Sequence, residues 1–135
     1  MQKATFSIVK YQFDRVNINL AHHKSSEISL DFDTHGVYYE GNSTYELRFS
    51  VKAFNDTVEN SFAEVHCVGT FSFENVKNIE EIPDFFYRNS IAILFPFVRA
   101  YVSMVTIQAN VPAIMLPTLN LMSLEEVLRN NTIQK

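Results

Sequence analysis

Tryptophan is absent from this 135-residue chain; glycine occurs three times, proline four times and cysteine once, as Cys67. A single thiol excludes an internal disulfide and any paired-cysteine site. Three isolated glycines exclude a phosphate-cradling loop, and no nucleophile elbow is present. Lysine and arginine total 11 against 15 aspartates and glutamates, a formal charge of -4. The basic residues are scattered, which argues against nucleic-acid binding, since a phosphate backbone needs clustered cations.

Polar chemistry is equally sparse. His22 and His23 are adjacent, so on an extended chain they point opposite ways, and His35 and His66 are distant in sequence. None has metal-ligand spacing, and no metal or cofactor is expected. Cys67 falls on the inward face of a strand pattern, where it reads as a small inert hydrophobe. Glu80-Glu81, Asp84 and Glu125-Glu126 lie at expected helix starts, where carboxylates complement the helix dipole. Asp31 and Asp33 alternate outward from Leu30 and Phe32, and solvation accounts for them. No catalytic constellation emerges, so an enzyme is not expected.

What the chain does contain is apolar and aromatic: 47% hydrophobic residues, with 12 Phe and 6 Tyr. Its length fits one domain, residues 1–135, with a sizeable core. Met1-Gln2-Lys3-Ala4-Thr5 leads straight into a strand pattern rather than a secretory signal. A cytoplasmic protein is therefore expected, and the sequons at Asn42, Asn55 and Asn130 read as accidental. Ile91–Ile107 is about long enough for a membrane span. Pro96 and Arg99 sit near its middle, where arginine costs ~2.5–3.5 kcal/mol on insertion scales. A buried helix, not membrane insertion, is the reading.

Along the chain, Thr5–Leu20 alternates as a strand, with a phase change near Asp14 that suggests a bulge. Glu27–Asp33, Thr44–Phe54 and Glu59–Phe73 also alternate, and Thr34–Ser43, holding two glycines, reads as a loop. A helix follows from about Phe85 to Gln108, kinked or divided at Pro96. Asn110 can act as its left-handed stop. Ser123-Leu124-Glu125-Glu126 has capping-box spacing and opens a short final helix. Strands first and helices after predict an α+β fold: a four-stranded antiparallel sheet with both helices on one face.

The long helix is apolar on two sides. Ile91, Leu94, Phe95, Val98, Val102 and Val105 form one face, and Ile93, Phe97, Ala100, Met104 and Ile107 form another. Arg99, Ser103 and Thr106 make the polar stripe between them. The sheet covers one face; a second copy is expected on the other, in a closed homo-oligomer, a tetramer built as a dimer of dimers. Further apolar residues exceed what one short sheet obviously covers: Tyr38, Tyr39, Phe85 and Phe86, with Val111, Ile114, Met115, Leu116, Leu119 and Leu121 in a Pro-punctuated loop. They read either as core plus oligomer interface or as a groove for extended apolar polypeptide.

Leu94-Phe95-Pro96-Phe97-Val98-Arg99, followed by Val111-Pro112-Ala113-Ile114-Met115-Leu116-Pro117-Thr118-Leu119-Asn120-Leu121, resembles the SecB family of protein-export chaperones. That family carries a Leu-Phe-Pro-aromatic-x-Arg helix and a Phe-Pro loop with an Asn-containing end. The match runs without gaps from Ile93 to Leu121. Looser similarity includes Phe6-x-Ile8, Glu27–Asp33, and Glu64-Val65 leading to Gly69-Thr70-Phe71-Ser72. The resemblance implies an ATP-independent holdase for unfolded polypeptide clients, with a groove between the sheet and the loop Asn110–Ser123. It also implies Glu64 as a docking residue for the export motor SecA. Arg15 and Asn19 stand where the family has acids and the tail is reduced to Thr132–Lys135, so the resemblance implies weaker SecA docking; the connection Ala21–Ser26 also departs from the family, being short and lacking aromatics. The alternative is a module of the same fold dedicated to one partner, such as an antitoxin.

Overall fold

Tyr45, Leu47, Phe49, Val51 and Ala53 alternate with polar neighbours, and each is buried. They form the inner face of β3 (Thr44–Phe54), the middle strand of the sheet in a computed structural model that describes residues 3–135. The opening Met1-Gln2 of the signal reading lies outside the described residues. β4 (Ala63–Glu74) pairs antiparallel with β3, placing Val65 opposite Val51 and Phe71 opposite Tyr45. β1 (Thr5–Ile18) pairs with the far side of β4. Its register slips between Ile8 and Lys10 and again between Phe13 and Arg15. The second slip is the bulge expected near Asp14; both keep apolar residues in phase with the inner face.

β2 (Ser29–Tyr39) pairs with the other side of β3, from Ser29 opposite Phe54 to Tyr39 opposite Thr44. The loop expected over Thr34–Ser43 is therefore mostly strand. Gly36, read as a loop signal, is there for space: a Cβ on it would lie 1.9 Å from the Tyr45 hydroxyl. That hydroxyl passes over Gly36 to bond the Thr132 hydroxyl at 2.6 Å, and burial pushes its pKa up.

Thr132 belongs to a strand the sequence did not announce. The sheet has five strands, ordered β1-β4-β3-β2-β5, not four. β5 (Thr132–Gln134) runs parallel to β2, opposite Gly36–Tyr38. Three residues carry no readable alternation; this strand is held by main-chain bonds from Gly36 N–H to Asn131 (3.1 Å) and from Lys135 N–H to Tyr38 (2.8 Å).

α1 (Asp84–Gln108) is one long helix with Pro96 inside it; of the kink or junction expected there, the junction does not occur. It has the length and hydropathy of a membrane span, yet Phe86, Ile91, Leu94, Phe95, Val98 and Val102 bury one side of it in the core. Asn110, at φ 64°, provides the left-handed stop. α2 (Leu121–Asn130) begins before the expected Ser123 because Asn120 caps it, accepting from Met122 N–H (3.1 Å) and Ser123 N–H (3.3 Å). Glu125 therefore lies inside the helix, paired with Arg88 at 2.8 Å and Arg129 at 3.1 Å. Leu124 and Leu128 join the core, and the Thr34 hydroxyl donates to the Leu124 carbonyl at 3.3 Å.

Gly36→Ala tests the link between β3 and β5. Forcing a methyl into packed space costs about 1–3 kcal/mol, so the urea midpoint should fall. An unchanged midpoint would show that Tyr45 moves aside freely.

Candidate functional site

The loop from Ala109 to Asn120 is tied to α1 by the polar stripe. The Arg99 Nη2 donates to the Pro117 carbonyl at 2.9 Å and the Ser103 hydroxyl to the Ile114 carbonyl at 2.8 Å. The Ile114 N–H donates to the Thr106 hydroxyl at 3.0 Å. These bonds satisfy loop main-chain groups that no strand pairs. Ile114 and Leu116 point into the core, while Met115 between them is 73% exposed.

Beyond Leu116 the loop lifts off and leaves a cavity on each side. One, of about 390 Å³, lies between Phe32 on β2, Pro117–Asn120 of the loop, and Ser123, Leu124 and Val127 of α2. The other, of about 230 Å³, lies between Ala92, Phe95, Pro96 and Arg99 of α1 and Thr118, Leu119 and Leu121. The first adjoins a free strand edge: β5 spans only Gly36–Tyr38, so among the described residues the Ser29–His35 half of β2 has no strand on its outer side. Asn131 Nδ2 reaches the Thr34 carbonyl at 3.4 Å, at the end of that free stretch.

The residues expected to bind clients do not form one surface. Tyr38 and Phe86 are fully buried, and Ile114 and Leu116 nearly so; these four anchor the sheet, α1 and the loop. Tyr38 was placed in a loop, whereas it occupies the inner face of β2 and donates to the Val76 carbonyl at 3.2 Å. Phe86 packs edge-on against Phe6 and Tyr45. Tyr39, next along β2, points to the opposite face. Phe85 is exposed, but lies at the start of α1 beside Arg88 and Glu125. Leu119 and Leu121 do line the cavities, with Val111 and Met115 elsewhere on the same loop. Sequence reasoning missed Phe32, Leu124 and Val127 as cavity walls. Their alternation and helical spacing were visible, but their meeting depends on where α2 crosses β2.

On the second side of α1, Phe97, Ala100, Met104 and Ile107 are exposed and Ile93 is half-buried. Phe97 stacks on Tyr11 at 4.2 Å and Tyr101 on Phe13 at 3.9 Å, so this face continues onto β1, the outermost strand.

Glu64 lies on the opposite, outer face of the sheet. It meets His66 Nε2 at 2.5 Å and Arg15 at 3.9 Å. Burial alone would raise its pKa; the His66 hydrogen bond and the charges of His66, Lys52 and Arg15 outweigh burial and hold it below the ordinary value. Asn19 turns inward on its own chain, accepting from Ala21 N–H at 3.1 Å. Cys67 is buried, which pushes its thiol up to about 12, with the Asp14 charge adding to the effect. A thiol so protonated is a poor nucleophile. Among the described residues, no three His, Cys, Asp or Glu side chains converge as a metal site.

The family model described as preprotein translocase subunit SecB matches residues 12–129. The chain belongs to the SecB family. A solved SecB-like chaperone, Rv1957 of Mycobacterium tuberculosis in complex with a ChAD peptide from the HigA1 antitoxin, shares the fold at TM-score 0.67 and 18% identity. The likeness covers 85% of this chain and 88% of that one. An uncharacterized protein of Methanocaldococcus jannaschii is 43% identical over 58 residues, which is 40% of this chain and 37% of that relative. In SecB terms, the loop between α1 and α2 is the helix-connecting loop, and both cavities flank it.

The Glu64 pairing has a pH signature. A carboxylate whose folded pKa is depressed contributes stability above its unfolded pKa, and loses it as pH falls through the folded value. Glu64→Gln should therefore lower the urea midpoint near neutral pH, with the gap closing below about pH 4.5, the group's ordinary value. A gap independent of pH would mean that Glu64 acts through packing alone.

Proposed function

We propose that this chain is an ATP-independent holdase that binds unfolded polypeptides, acting without enzymatic chemistry. The observation that carries this reading is the cavity between Phe32, the loop and α2, set against the uncovered half of β2. An extended client can add main-chain hydrogen bonds to such an edge while seating alternate apolar side chains in the cavity. A loop already pinned by Arg99, Ser103 and Thr106 loses little freedom when a client docks. Within the residues expected to bind clients, Val111, Met115, Leu119 and Leu121 retain that role. Tyr38, Phe86, Ile114 and Leu116 support it from the core, and Tyr39 and Phe85 lie apart.

A second reading is favoured by Rv1957, which was solved with a peptide of an antitoxin: the same groove could be dedicated to one partner. Aggregation of several unrelated clients separates the two, since a general holdase slows all of them and a dedicated module only one. Val127→Asp places a charge at the mouth of the cavity on an exposed helix position. It should weaken capture of an unfolded reporter roughly tenfold or more, by analogy with the cost of desolvating a charge, while leaving the melting curve unchanged. Undiminished capture would rule this cavity out as the client site.

The assembly belongs to the same proposal. Ile93, Phe97, Ala100, Met104 and Ile107, continued by Tyr11 and Val9 on β1, make an apolar face suited to a second copy, and a tetramer built as a dimer of dimers closes it. Phe97→Asp and Met104→Asp should shift sedimentation toward smaller species, because each sets a charge in a desolvated contact. A monomeric natural protein at micromolar concentration would refute the assembly. Cytoplasmic work in protein export fits this reading. SecA docking would be weak, since Arg15 sits beside Glu64 and opposes a basic partner surface.

A further inference from the structure

Methionine side chains ordinarily fill gaps inside a core. Here Met104, Met115 and Met122 are all exposed, whereas the thiol of Cys67 is buried. Met115 differs from the other two in what its sulfur touches. Ile114 and Leu116 turn into the core, so on an extended chain the residue between them turns outward. This carries the Met115 Sδ to 3.5 Å from the Ser103 hydroxyl on α1. The same hydroxyl donates to the Ile114 carbonyl at 2.8 Å. The Ile114 N–H is held separately, by the Thr106 hydroxyl at 3.0 Å. A hydroxyl carries one proton and a thioether is a weak acceptor, so the proton rests with the carbonyl. The middle of the loop is therefore tied by a bond whose donor also lies beside an exposed, oxidisable sulfur.

We propose that Met115 is a redox modification site, at which a peroxide loosens the loop by drawing the Ser103 proton away from Ile114. The sulfur attacks one oxygen of hydrogen peroxide; an S–O bond forms and the O–O bond breaks. The sulfur loses two electrons and the other peroxide oxygen leaves as hydroxide. The proton on the transferred oxygen passes to that hydroxide, giving water. The product is a sulfoxide, polar where the thioether was apolar. Its oxygen carries far more negative charge than the sulfur did, and it accepts the Ser103 hydrogen bond in place of the carbonyl. Ile114 is then held by Thr106 alone. The Ser103 contact sets Met115 apart from Met104 and Met122, which oxidise by the same chemistry. Sulfoxide reductases return the sulfur to its starting state, so the change is reversible. Its effect on capture rests on the holdase reading: a looser loop with a polar crest loses more freedom when a client docks and offers it less apolar contact.

The test treats the full chain with graded hydrogen peroxide, removes the peroxide, and reads three quantities. These are the sulfoxide at each methionine by peptide mass, amide hydrogen exchange in the loop 109–120, and capture of an unfolded reporter. Met115 should convert before the less exposed Met104. Exchange at the Ile114 amide should then quicken about fivefold, the size of one net hydrogen bond. Capture should weaken by at least the same factor, and a methionine sulfoxide reductase should restore both. Met115→Leu keeps an apolar side chain without the sulfur, so peroxide should change neither its loop exchange nor its capture. Ser103→Ala should exchange fast from the start, and peroxide should not quicken it further although Met115 still converts. Met115 left reduced while Met104 converts, or exchange unchanged once Met115 is a sulfoxide, would overturn the site. So would a loop that peroxide loosens equally in Met115→Leu. A peroxide response that survives in Ser103→Ala would overturn the proton shift, and capture that stays constant while exchange quickens would overturn the regulation. If the reduced natural protein captures no reporter, the holdase reading falls, and the exchange experiment still decides the modification site.

Discussion

The packing of α1 against the sheet governs the rest of the structure. Phe86 is the centre of that contact, with ring centroids 4.8 Å from Phe6, Tyr45 and Phe73 and 5.4 Å from Phe71. Such pairs contribute roughly 0.5–1.5 kcal/mol each beyond their buried area. With that side committed, the helix has two other sides to account for. The polar stripe takes the loop, and the Phe97–Ile107 side meets only the end of β1, where Phe97 stacks on Tyr11, leaving Met104 and Ile107 exposed. A helix with one side packed, one zipped to its own loop and one left largely exposed is therefore a consequence of where Phe86 and Leu94 fall, at the helical period.

The zipped side explains how an apolar loop can stay at the surface. A strand or helix satisfies its own main chain, but a loop must find partners elsewhere. Here Thr106 and Ser103 bind the main chain of Ile114, and Arg99 binds that of Pro117. Ile114 and Leu116 then drop into the core, so the next residues are carried away from it. Prolines at 112 and 117 keep the chain extended and prevent it from coiling back. The cavities on either side of Leu119 result from this suspension: the loop is anchored at Leu116 and again at the Asn120 cap, and bridges the interval.

Much of this was legible wherever a single element decides its own pattern. The alternation in Thr44–Phe54, the two-sided periodicity of Ile91–Ile107 and the Asn110 stop all appear as read. The polar stripe was visible too, though not its partner. What escaped reading depends on meetings between distant segments. Gly36 looks like a turn until Tyr45 is laid over it. Thr132–Gln134 is too short to alternate, and becomes a strand only because α2 delivers it to the edge of β2. Asn120 and Ser123 are both competent caps, and Asn120 takes the role because its side chain bonds two free N–H groups. For the same reason Tyr38 and Phe86, apolar in sequence and assigned to a surface, turned out to be what the surface is built on.

The two faces of the sheet divide the protein's chemistry. On the outer face the charges answer one another: Arg48 reaches Asp14 at 3.5 Å and Glu46 at 3.3 Å, and Glu64 is shared by Arg15 and His66. Exposed pairs such as Arg48 with Asp14 contribute only ~0–1 kcal/mol to stability. On the helix face the position is reversed. Apolar residues stand open at Phe97, Met104, Met115 and Val127, and Val127 lies by the stretch of β2 that β5 leaves unpaired. A surface that offers apolar contact together with unspent backbone hydrogen bonds selects for what every unfolded chain has in common and no compact fold displays. It discriminates by conformation rather than by sequence.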